Sequence, residues 1–313
     1  MSAMIGKACR ALMRQLKSSG WAGNLVTRGF QAWYEIPVAP THYYSPLPDV
    51  AALREKMPRW YRESDLGGVE LAVEEQLGVL EALRPYREEC RDLPDFEAVT
   101  AAGYGPGYGE VEASLLHCMI RHLKPGQVIE IGSGVSTCYA LEALRRNRSE
   151  GGKEFSLSCI EPYPSAKFRE LAGAGRLELH AQEVQDVELS CFDRLGPDDL
   201  LFIDSSHVCK LDSDINHIYL EILPRLAKGV VIHIHDIPFP YATCHPEHPA
   251  FAVSMLWNEA ALVRALLMYS HAFRIVMCQS YLHYKFPEAI QGVVERYDPS
   301  RHFPTSLWLR KVV

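Results

Sequence analysis

Two apolar runs of this 313-residue chain end in residues able to do chemistry. The segment GVVIHIHDIPFP (229–240) places His233, His235 and Asp236 inside an apolar stretch and stops at Pro238. The segment LLFIDSSH (200–207) carries Asp204 just past its apolar part, with His207 close behind. Imidazole and carboxylate at such ends support three chemistries: a divalent metal site, a general acid–base pair, or polarity that only ties down a loop. In a strand, His233 and His235 project to one face and Asp236 to the other. His233 lies deeper and is expected to be a neutral core histidine with a hydrogen-bonded partner. His235 and His207 are candidate general bases, since an unperturbed imidazole titrates at about pH 6.5. Asp204 and Asp236 can orient an imidazole or bind a metal that acidifies an acceptor.

Upstream, VIEIGSGVST (128–137) reads as a strand, a glycine turn and a helix start. Gly132 and Gly134 permit a tight turn and close approach of a ligand to the backbone, and the helix behind it offers free N–H groups. A dinucleotide loop would want a third glycine where this chain has Thr137, which disfavours an NAD-type oxidoreductase. Glu161, in CIEP, follows the glycines by about thirty residues; an acid there can accept both hydroxyls of a ribose.

These residues need elements that bring strand ends together. Strand-like runs fall at 127–133, 156–162, 177–183, 200–206, 230–236, 273–279 and 307–312, with amphipathic helical patterns between most of them. Strand, helix, strand at this spacing predicts an α/β chain. The expected fold is Rossmann-like and doubly wound, with a mostly parallel seven-stranded sheet and helices on both faces. Ligands then bind outside the C-terminal ends of the strands, where the polar residues fall. Residues 1–100 show helical patterns and a Pro- and Tyr-rich turn without a strand. They are expected to form an N-terminal helical cap, with residues 101–313 as the catalytic domain. Ile5, Ala8, Leu12 and Leu16 are spaced for an amphipathic helix that packs on the protein.

Composition narrows the partners. A formal charge of −7 gives no general attraction to nucleic acid or anionic lipid. The nine cysteines form no CxxC pair, as expected for reduced thiols in a cytoplasmic protein. The N-terminus lacks the apolar core and cleavage site of a signal peptide, and no run is long enough to span a bilayer.

Together, VIEIGSGVST, IEP, FIDSSH and LPRLAKGVVIHIHDI resemble the class I S-adenosylmethionine (SAM)-dependent methyltransferases. They look most like the bacterial small-molecule branch with Asp-x-x-His and His-Asp strand ends, over about residues 105–285. The resemblance implies that Glu130, Gly132, Ser133 and Gly134 hold the methionine end of SAM, with Ser136 nearby. It further implies Glu161 on the ribose, Val184 and Gln185 beside the adenine, and Asp204 at the amino-acid end or reaction centre. Asp204, His235 and Asp236 match the positions where catechol-type relatives bind a divalent metal, and a histidine there suits a softer ion than magnesium. Tyr43, Tyr44, Tyr104 and Tyr108 lie in Gly- and Pro-rich segments that could form an aromatic lid against the sulfonium, with ordinary packing as the alternative. The loop from His245 to His248 could bind metal but is more simply polar. The helix after Trp257 reads as core or as a homodimer face. The expected activity is methyl transfer to a small-molecule oxygen or nitrogen, with a metal as an optional assistant. The alternatives are a SAM cyclase that forms azetidine-2-carboxylate and methylthioadenosine in a closed, aromatic-walled pocket, the NAD-type enzyme, and a non-catalytic binding module.

Overall fold

The computed structural model describes residues 50–105, 107–245 and 256–313. The chain divides into two compact units, Met1–Trp60 and Tyr61–Val313. In the first, two short helices, Val50–Glu55 and Met57–Trp60, are described, and the Trp60 indole N–H donates to the Leu53 carbonyl at 2.9 Å. The expected helix at residues 5–16 and the Tyr43–Tyr44 turn lie outside the described residues, as do residues 246–248 of the histidine loop. Residues 61–100 pack within the second unit, with the sheet, whereas their sequence pattern groups them with the cap.

The second unit is built on the seven expected strands: β1 (Gln127–Ile131), β2 (Ser156–Ile160), β3 (Glu178–His180), β4 (Leu200–Ile203), β5 (Val231–Ile234), β6 (Phe273–Cys278) and β7 (Leu307–Lys311). They form one sheet in the order β3-β2-β1-β4-β5-β7-β6. The first five run parallel, and β7 is antiparallel to both β5 and β6. Alternation along each strand feeds two cores. Val128, Leu157, Leu200, Phe202, Val231 and Trp308 face one. Ile129, Ile160, Leu201, Ile203, Ile232 and Leu309 face the other.

Helices cover both faces, as near-continuous apolar strands require. On the first lie α1 (Val73–Leu83), α2 (Glu110–Leu123), α3 (Val135–Ser149) and α4 (Ala166–Gly173), through residues such as Leu80, Leu116, Leu144 and Phe168. On the second lies α5, which begins as Asp214–His217 and continues through a π turn, Ile218–Ile222. Beside it is α6 (Glu259–Leu267). Two further helices, α7 (Gln279–Lys285) and α8 (Pro287–Val293), return Leu282 and Ile290 to the first core.

The chain leaves β1 toward β2 and β3, then crosses back to β4. The C-terminal ends of β1 and β4 therefore flank the point where winding reverses, the usual ligand crevice of an open α/β sheet. Gly132, just after β1, has φ of +83°, and a Cβ built on it would lie 1.7 Å from the Asp204 carbonyl oxygen. Only glycine lets the two strand ends touch here.

Candidate active site

Two cavities open at these strand ends and share Asp204, Ser205 and Ser206. The first, about 490 Å³, is lined by Gly132, Glu161, Val184 and Gln185, together with Lys210, Asp212, Ser213 and Asp214. Glu161 is fixed by two backbone donors: Ser133 N–H to Oε2 at 3.2 Å and Tyr163 N–H to Oε1 at 2.8 Å. The Gln185 amide donates to the Asp212 carbonyl at 3.0 Å, while its own Oε1 is buried without a hydrogen-bond partner. The Ser133 hydroxyl is likewise unpartnered. Unmet polar groups around a glycine turn fit a polar ligand.

Glu130 and Ser136 do not line this cavity; they brace the turn beneath it. The hydroxyls of Ser136 and Thr137 donate to Oε1 and Oε2 of Glu130, each at 2.6 Å. Burial pushes the Glu130 carboxyl up to about 7, against these hydrogen bonds. Thr137, where a dinucleotide loop would carry glycine, thus has a side chain in use. Gly134 is the N-cap of α3.

The second cavity, about 1200 Å³, is walled by Tyr61, Tyr108, Tyr241, Trp257, Tyr284 and Phe303. Tyr61 stacks on Tyr241 at 4.8 Å between ring centroids, and Tyr241 meets Tyr284 edge-on at 5.1 Å. Tyr108, expected on the cofactor, lines this cavity instead; its hydroxyl lies 3.2 Å from His233 Nε2. Tyr104 packs edge-on against Phe168 at 5.8 Å. A cavity of this size leaves room for an acceptor, so nothing here favours the closed pocket of the cyclase.

Asp204, His207, His235 and Asp236 meet where the cavities join. His207 Nε2 lies 3.2 Å from Asp204 Oδ1 and 3.6 Å from Asp236 Oδ2. His235 Nδ1 lies 3.4 Å from the same Asp204 oxygen and 3.5 Å from the same Asp236 oxygen. Two residues not anticipated from sequence sit behind the imidazoles. Glu259 Oε2 is 2.8 Å from His207 Nδ1, and Glu112 Oε1 is 3.3 Å from His235 Nε2. Glu259 opens α6 and Glu112 lies in the first turn of α2, ordinary places for an acid near a helix N-terminus. No local signal separates them from a solvated cap.

Four carboxylates around two buried imidazoles set the protonation. Burial pulls His207 down, but hydrogen bonds to Asp204 and Glu259 more than offset it, and its pKa is pushed up to about 10. Burial also opposes the charged form of His235, yet Asp236, Asp204 and Glu112 raise its pKa well above the usual imidazole value. Burial would raise Asp204; the charge of His235 and hydrogen bonds from both imidazoles hold it far below the ordinary carboxylate range instead. His233 is a separate case. Fully buried, it stacks on Phe202 at 4.2 Å, and burial together with the charge of His235 lowers its pKa to about 3. It is the neutral core histidine expected.

Strained backbone occurs here too. His207, Asp236 and Tyr108 have φ of +58°, +56° and +67°. Left-handed conformations cost a non-glycine residue about 1 kcal/mol or more and cluster at functional sites.

Residues 129–237 match a family model described as a methyltransferase domain, a span from β1 past the end of β5. That match gives the chain a methyltransferase domain, and the sheet order is that of a Rossmann-like, doubly wound α/β fold. The chain belongs to one family with an uncharacterized protein of Archaeoglobus fulgidus, to which it is 30% identical over 163 residues, 50% of this chain and 72% of that protein. Among solved structures, it is similar to the O-methyltransferase TomG of Streptomyces achromogenes, in complex with SAM. Identity there is 18%, over 84% of this chain and 96% of that one, with a TM-score of 0.42. The Bacillus cereus O-methyltransferase in complex with SAH shows 14% identity over 84% and 97% of the two chains, with a TM-score of 0.39. Cofactor-bound Rv0187 from MTB shows 17% over 88% and 99%, with a TM-score of 0.40. The fold rests on the strand order of this chain, not on these scores.

Proposed function

We propose that this enzyme methylates a hydroxyl of a small, partly aromatic molecule. The observation that supports it best is the pair of cavities joined at Asp204–Ser206. SAM fits the first cavity: Gly132 admits its methionine end to the backbone, Glu161 accepts from the ribose, and Val184 and Gln185 border the adenine. Bound SAM supplies an electrophilic methyl group. The acceptor enters the second cavity between Tyr241, Tyr284 and Trp257, whose rings favour a flat or apolar body. Holding both reactants at the junction supplies much of the rate, since aligned intramolecular geometry is worth roughly 7–11 kcal/mol.

The acceptor oxygen gives an electron pair to the methyl carbon, the carbon–sulfur bond breaks toward sulfur, and the hydroxyl proton leaves. The carboxylates around His207 and His235 favour their protonated forms, which makes both weaker candidates for the base. Asp236, in the second cavity with Oδ1 taking a hydrogen bond from Thr305 Oγ1 at 3.0 Å, is placed to take that proton.

The test is mass spectrometry of the purified enzyme with SAM, first alone and then with a panel of small phenols and alcohols. A product heavier by one methylene, together with demethylated SAM, is expected only with acceptor. Methylthioadenosine formed from SAM alone would establish cyclisation instead.

A further inference from the structure

The second cavity has an uneven charge. Glu112, Asp204 and Asp236 line it, and among the described residues no lysine or arginine does. Lys285, which follows the lining residue Tyr284, is tied to Glu63. Arg62 and Arg301, close in the chain to Tyr61 and Phe303, are exposed and lie outside the lining. The buried imidazoles of His207 and His235 offset part of the negative charge, but Glu259, 2.8 Å behind His207, adds a fourth carboxylate. A cleft lined mainly by one sign of charge concentrates ligands of the other. An anionic acceptor would be desolvated here with no lysine or arginine to pair with, which is costly.

The walls offer what a cation needs. Tyr61, Tyr241 and Tyr284 form a continuous aromatic cluster, with ring centroids 4.8 and 5.1 Å apart in successive pairs. Aromatic faces attract ammonium groups, and more strongly where water is displaced. The other end of the acceptor has its own anchor. His235 lines the cavity, is only 7% exposed, and makes no hydrogen bond of good geometry through either ring nitrogen. A hydroxyl oxygen of the acceptor would meet that need.

We infer that the acceptor is cationic, with a protonated amine or quaternary ammonium group against the Tyr61–Tyr241–Tyr284 wall and its hydroxyl at His235 and Asp236. The second cavity belongs to the acceptor on the methyl-transfer function proposed above, on which this charge assignment rests. A flat or apolar body by itself would need the rings but not the carboxylates.

The test titrates the full chain by calorimetry, with and without S-adenosylhomocysteine, using three phenols of similar size and different charge: tyramine, 4-ethylphenol and 4-hydroxyphenylacetate. Tyramine should bind roughly tenfold more tightly than 4-ethylphenol, and the carboxylate most weakly. Tyr284→Leu should shrink the gap between the first two to about twofold, whereas Tyr284→Phe, which keeps the ring, should preserve it. Circular dichroism shows whether each variant is folded; where Tyr284→Leu is not, Tyr241→Leu replaces it. Equal affinities, a preference for the carboxylate, no saturable binding of any of the three, or an unchanged gap in the folded leucine variant overturns the inference. Methyl transfer from SAM to each phenol is read separately by mass spectrometry. Charge preference without a methylated product upholds the cationic pocket and sinks hydroxyl methylation. Methylation that favours the neutral or anionic phenol does the reverse.

Discussion

At the scale of residues, environment assigns chemically similar groups to different work. Glu130 and Asp204 end neighbouring parallel strands, yet one carboxyl is pushed up and the other held down. Glu130 has hydroxyl partners and no cation, so burial wins and its pKa reaches about 7. Asp204 faces two imidazolium groups, so attraction wins. A pKa raised on folding favours the folded state at low pH. The Glu130 contribution is therefore present below about pH 4.5 and lost as pH rises through about 7. A tenfold change in proton affinity is worth about 1.4 kcal/mol. In urea unfolding, the stability of Glu130→Gln relative to wild type should improve by about 3 kcal/mol between pH 4.5 and 8. Parallel curves for the two proteins would refute the assignment. Asp236 is tested by Asp236→Asn, which keeps the shape but cannot take the proton. Its kcat should fall by roughly 10²–10⁴-fold with SAM affinity held, as for loss of a general base; an unchanged kcat would remove Asp236 from that role.

At the scale of elements, the junction depends on how tightly the turn after β1 meets the end of β4. Gly132 N–H donates to the Ile160 carbonyl at 2.9 Å, and Asp204 N–H to the Ile131 carbonyl at 2.9 Å. These bonds lock three strand ends together with no space for a methyl group. In Gly132→Ala, the clash is with backbone oxygen, which cannot swing aside as a side chain can. Adding a left-handed φ, the substitution should cost about 2 kcal/mol or more. It should also abolish SAM binding by calorimetry. A folded Gly132→Ala protein that binds SAM normally would show that the turn is not the cofactor's seat. The strained His207 is secured similarly: its carbonyl accepts from the N–H groups of Asn258 and Glu259, at 3.0 and 3.2 Å, so α6 begins on the loop it braces.

At the scale of the whole second unit, the sheet divides labour at its switch point. The ends of β1 to β3, with the segment that follows β4, supply the first cavity. The second draws on β5, the segment before β7, α7 and the loop after β5. The two ligands should therefore separate by mutation. Glu161→Ala should raise the SAM dissociation constant by about 10–100-fold, the weight of a hydrogen-bonded charge. Tyr284→Ala, which removes a ring from the Tyr241 wall, should raise the acceptor KM and leave SAM affinity within about twofold. Paired calorimetry and steady-state kinetics check both; coupled losses in either variant would mean a single merged pocket.

The seven strands and most helices were legible in the sequence, because fully buried strands must be apolar runs and covering helices must be amphipathic. The polar residues at the strand ends were legible for the same reason: Asp204, His235 and Asp236 interrupt segments that burial would otherwise keep apolar. Only the tertiary structure decided which of them meet. It brought His207 onto the oxygen that His235 faces, placed Tyr108 in the wall of the second cavity, and turned Glu130 and Ser136 to bracing the glycine turn. It also supplied Glu112 and Glu259, 147 positions apart in the chain, as the carboxylates behind the two imidazoles. Such partners leave no periodic trace, because a side chain's electrostatic surroundings come from elements distant in sequence, whereas its burial is written in its neighbours.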